Sequence, residues 1–131
     1  MSTHSYRTPK REKLESKGKN VEILRTVPFE KGFHFNTAPE SFTGETATSL
    51  EDFEKKLQIA PAESVSFHLQ RGDFQKWIAE TIGDVKLAKS ISLIKLVGPV
   101  EDLRKELLTI VKTRLTELWL GHPQHSKHHH L

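Results

Sequence analysis

Within ten positions the chain gathers His68, Arg71, Asp73 and Trp77, in the run His68-Leu-Gln-Arg71-Gly-Asp73-Phe-Gln-Lys-Trp77. A histidine beside a carboxylate is the pairing used for proton transfer or ligand binding, and an arginine presents a donor fork to an anion. No nucleophile and no second carboxylate accompanies them at a useful spacing. The same residues also read as structural: Asp73 as a helix N-cap, Trp77 as core, His68 at the core edge and Arg71 on the surface. The run is therefore a candidate binding turn, and no residue is assigned a catalytic role.

Helical segments must hold that turn. Phe74, Trp77, Ile78, Thr81 and Ile82 recur at helical spacing and share one face. Gly72 breaks the chain before them and Gly83 follows, where a left-handed terminus is expected. Asp84 then caps a second helix carrying Leu87, Ala88, Ile91 and Ile94 inward. Upstream, Thr48-x-x-Glu51 and Ser49-x-x-Asp52 both resemble capping boxes, opening a helix with Leu50, Phe53, Leu57 and Ile59 on its apolar face. Pro61 ends it and suits the first turn of the next segment. Residues 62–70 follow, and VSFHL within them fits either a helix or a strand. Gly98-Pro99 starts a long helix with Val100, Leu103, Leu107, Ile110, Val111, Leu115 and Leu118 in one stripe. Residues 28–48 contain Phe29, Phe33, Phe35 and Phe42. They are expected to lie as an irregular ordered loop with the phenylalanines filling core edges, because Asn36, Pro39 and Gly44 interrupt the strand-like Phe33-His34-Phe35. The expected fold is all-α, a small bundle of four or five short helices behind an aromatic-rich N-terminal lead-in.

Composition sets the flanks. Residues 1–31 carry eight Lys and Arg against four Asp and Glu, and the remaining 100 residues carry 12 against 13. Residues 1–27 thus read as a disordered basic arm and connector, 28–120 as the helical domain and 121–131 as a flexible His-rich tail. Arg7, Lys10, Arg11, Lys13, Lys17 and Lys19 could neutralise phosphates and give weak, salt-sensitive nucleic-acid binding. Tyr6 is the arm's one aromatic residue, which makes a poor stacking platform. His122, His125, His128, His129 and His130 can bind Zn²⁺, Ni²⁺ or Cu²⁺ without any fold, and that binding is read as adventitious. No cofactor is implied. The chain has no cysteine, which excludes disulfide and thiolate chemistry. Neither a run long enough to span a membrane nor an apolar core behind the basic N-terminus is present, so the expectation is a cytoplasmic protein without a membrane partner.

Residues 28–118 resemble a prokaryotic domain family of unknown function, found in archaea and bacteria. The resemblance is carried by Phe33 and Phe35, by Ala47, Ser49, Leu50 and Glu51, by His68-Leu69-x-Arg71-x-Asp73-Phe74-x-x-Trp77-Ile78 and by Gly83-Asp84-x-x-Leu87-Ala88. It implies a recurring module to which the arm and tail are additions, and it brings no activity. The leading functional reading is a non-enzymatic binding or regulatory module that contacts another protein, with nucleic-acid binding by the arm as the alternative.

Overall fold

Phe33 and Phe35 point to the same side of an extended backbone, and that alternation nucleates a strand pair ahead of the helices. The computed structural model describes residues 19–121. In it β1 (Phe33–Asn36) and β2 (Phe42–Ala47) form an antiparallel hairpin with Phe33 opposite Ala47, His34 opposite Thr46 and Asn36 opposite Phe42. This corrects the expectation of an irregular lead-in and of a purely all-α fold: the protein is mostly helical with a small two-stranded sheet. Pro39 stops nothing, because it lies in the connection, where Ser41 N–H donates to the Ala38 carbonyl and Thr37 N–H to the Ser41 carbonyl. Gly44, at φ +98°, sits within β2 in a conformation that side chains resist. The phenylalanines divide between the two faces. Phe33 and Phe35 are buried, whereas Phe29 and Phe42 are exposed and flank His34 on the outer face, with ring centroids at 5.3 and 5.8 Å. The last two do not fill core edges.

Five helices follow. The first, α1 (Leu50–Ile59), is opened by Ser49, whose hydroxyl accepts from Asp52 N–H at 3.0 Å, while the Asp52 carboxylate accepts from Thr48 N–H at 3.1 Å. Leu50, Phe53 and Leu57 face inward and Ile59 is exposed, contrary to its expected place on the inner face. Residues 62–70 are helical and not strand-like: α2 (Ala62–Arg71) buries Ser64, Val65, His68 and Leu69, a spacing of one, three and one that only a helix can turn to one side. Gly72, at φ +74°, ends α2 and begins α3 (Asp73–Trp77), which runs straight into a π-helical turn (Ile78–Ile82). Gly83 follows at φ +92°, and Asp84 accepts from Leu87 N–H to open α4 (Val85–Ser92). Finally α5 (Val100–Leu120) buries Leu103, Leu107, Val111 and Leu118 and packs on α1, α2 and α4. Trp119 Nε1 donates to Glu51 and ties its far end to α1.

The core is an aromatic knot. Phe33, Phe35, Phe53, Phe74 and Trp77 are buried and meet mostly edge to face or tilted, with Phe33–Phe35 at 4.9 Å, Phe53–Phe74 at 5.4 Å and Phe33–Trp77 at 5.7 Å between centroids, while Phe35 stacks on Phe53 at 6.0 Å. The stretch before Pro28 joins it: residues 19–23 are helical, Ile23 and Val27 are buried, and Val27 N–H donates to the Thr48 carbonyl. Arg25 donates to the Thr81 and Ile82 carbonyls, which closes the open end of the π-helical turn. Arg104, itself buried, does the same for α1 through the Leu57 and Ala60 carbonyls. No helix among the described residues is long and apolar enough to cross a membrane.

Candidate functional site

The turn at residues 68–73 is built by three elements. His68 comes from the last turn of α2, Asp73 from the first residue of α3, and β1 closes the third side. Nε2 of His68 accepts from Asn36 N–H at 2.9 Å, so that nitrogen carries no proton. Nδ1 therefore carries it and donates to the Asp73 carboxylate at 2.8 Å. Arg71 Nε forms an ion pair with the same carboxylate oxygen at 3.1 Å, and its guanidinium lies over the Phe67 ring at 4.9 Å. The rings of Phe33, Phe67 and Phe74 surround the imidazole at 4.7, 4.9 and 5.4 Å.

Burial lowers the His68 pKa from its ordinary value. The hydrogen bond and charge of Asp73 oppose this shift, and the Arg71 cation adds to it. The hydrogen bonds give the same direction: a second ring proton would confront the Asn36 N–H with another donor. His68 is thus a neutral clasp between β1, α2 and α3. Both its nitrogens are occupied, which leaves no lone pair for a metal or for a substrate proton.

Asp73 is not an N-cap, contrary to expectation. Gly72 occupies the N-cap position of α3 and no side chain caps it. The Asp73 carboxylate turns back to the buried imidazole, where an unpaired donor would cost more than an uncapped, water-accessible helix end. Of the four residues singled out by spacing, the fold brings His68, Arg71 and Asp73 together. Trp77 is directed elsewhere: its ring joins the aromatic core and Nε1 donates to the Lys31 carbonyl at 2.9 Å. Arg7, Lys10, Arg11, Lys13 and Lys17 lie outside the described residues, as do His122, His125, His128, His129 and His130. Lys19 is exposed on the first helical turn.

A second cluster joins α4 to α5. Asp84, almost wholly buried, takes Leu87 N–H on one oxygen and Arg114 Nε on the other at 2.8 Å. Arg114 also donates to Glu117 at 3.0 Å, and Lys86 reaches Glu117 at 3.3 Å. Burial alone would lower the Arg114 pKa, but the Asp84 and Glu117 carboxylates raise it overall. The pKa of Glu117 is lowered by Arg114 first and Lys86 second.

A third feature was not singled out from the sequence. Val85, Leu93, Leu96 and Val97 are 69, 72, 40 and 73% exposed, all within or just after α4. The signal for them was present: once Leu87, Ala88, Ile91 and Ile94 are assigned inward, these four apolar residues are left over.

A family of unknown function (DUF5752) matches residues 70–130, from the end of α2 through α5. No curated protein and no solved structure matches the chain. The resemblance seen across residues 28–118 thus has support over its C-terminal part, as an uncharacterised domain family.

Proposed function

We propose that the chain is a non-enzymatic binding or regulatory module that contacts another protein through the outer side of α4 and the segment after it. The observation that carries this reading is the run of four large apolar side chains held in solvent, Val85, Leu93, Leu96 and Val97, beside a face of α4 that is already packed. Exposed apolar residues scattered singly are normal, whereas four within thirteen residues of one segment favour a contact surface. The turn at residues 68–73 serves this reading as scaffold: it fixes the end of α2 against α3, and α3 leads through Gly83 into α4.

The test places a photo-cross-linking amino acid at Leu93 in the full chain and irradiates it in lysate of the source cells. The expected result is a discrete protein adduct from position 93 and none from position 105, which is exposed on α5. Absence of a protein adduct at 93, or equal adducts at both positions, would contradict the reading.

A further inference from the structure

Resting on that reading, we infer that the partner segment is acidic, with apolar side chains between its carboxylates, and that it lies along the outer arc of α4. Successive helical residues advance by about 100°. Ser92, Val85, Lys89, Leu93 and Lys86 therefore fall, in that angular order, within about 120° of one another. Residues 87, 88 and 91 turn the opposite way into the core. Leu93 keeps helical backbone angles, which extends the arc, and the exposed Leu96 and Val97 follow it in the chain.

Charge identifies the occupant. Residues 85–99 hold Lys86, Lys89 and Lys95 and no Asp or Glu, and of these Lys86 is paired with Glu117 of α5, so Lys89 and Lys95 carry the unbalanced charge. The rest of residues 19–121 holds 11 Lys and Arg against 15 Asp and Glu. The segment carries a net positive charge on an otherwise acidic domain. Such a field steers an acidic partner here and repels it elsewhere. Lys89 lies between Val85 and Leu93 on the arc. A flat hydrocarbon surface touching both apolar residues would also cover the base of that ammonium group, whereas a peptide can set a carboxylate between two apolar side chains. Lys86 and Ser90 also border a cleft of about 200 Å³ between α4 and α5, where Leu87 and Ile110 offer room for one apolar side chain beside the paired Arg114 and Glu117.

The adduct formed from position 93 provides the test. Mass spectrometry of the cross-linked peptide is expected to show a net negative segment with at least two Asp or Glu near the attachment point. Lys89→Glu should lower adduct yield about fivefold, as expected for reversing one exposed ion pair, and Lys105→Glu should leave it unchanged. Raising the salt should lower the yield further. A protein adduct with a neutral or basic segment, or a yield indifferent to Lys89→Glu, overturns this inference and leaves the protein-contact reading standing. An adduct with lipid, with nucleic acid or with a second copy of the chain overturns it in favour of that occupant. No adduct at all overturns both.

Discussion

Replacing Phe53 by Ala is expected to destabilise the protein by roughly 3–5 kcal/mol, the range for removing a buried aromatic ring. Phe53 is fully buried and lies within 6.0 Å, centroid to centroid, of Phe33, Phe35, Phe74 and Trp77. These rings come from the hairpin and from α3, so the cavity would open where three elements meet and no single side chain could relax into it. Urea unfolding of the two proteins measures the difference, with an unchanged slope showing that the folded state has kept its compactness. A cost below about 1 kcal/mol, the range of a surface substitution, would mean that the rings do not form one core.

His68→Ala is expected to cost about 3 kcal/mol. It removes a buried ring and leaves the Asn36 N–H without its acceptor, while the Asp73 oxygen keeps only its ion pair with Arg71. This clasp also gives the stability a defined pH dependence. The folded-state pKa of His68 lies below its ordinary value of about 6.5, so below that pH the unfolded chain binds the proton more readily. Stability from this group is therefore fully present above about pH 6.5 and is lost as pH falls through the lowered folded pKa. The charged groups acting on the ring are Asp73, which resists the loss, and Arg71, which promotes it. Urea midpoints of the wild type and His68→Gln between pH 5 and 8 isolate the effect. The wild type should lose its advantage over the variant toward pH 5, and a difference constant across that range would show that His68 is not held neutral.

The helices were legible in the sequence because their punctuation is local. Ser49 and Asp84 cap as their spacing indicates, and Gly72 and Gly83 take the left-handed angles that only glycine adopts without strain. The hairpin was not legible because its evidence is tertiary. Gly44 and Pro39 are breakers by propensity, and only the burial of Phe33 and Phe35 against α1 and α3 selects the strand pair. The role of Asp73 was misread for a related reason. A carboxylate at the start of a helix has an obvious local use, and the competing partner, His68, becomes buried only when β1 supplies Asn36. The exposed residues of α4 were not legible as a surface because periodicity sorts residues into a buried set and a remainder, and says nothing of what the remainder meets.

Amide hydrogen exchange of the full chain, alone and with the protein recovered from the position-93 adduct, tests most directly where this module works. Added protection is predicted across residues 85–97, with β1 and the turn at residues 68–73 unchanged, because those amides already serve the clasp and the core. Protection gained at residues 67–73 while residues 85–97 exchange as before would contradict the account and return the site to the turn around His68.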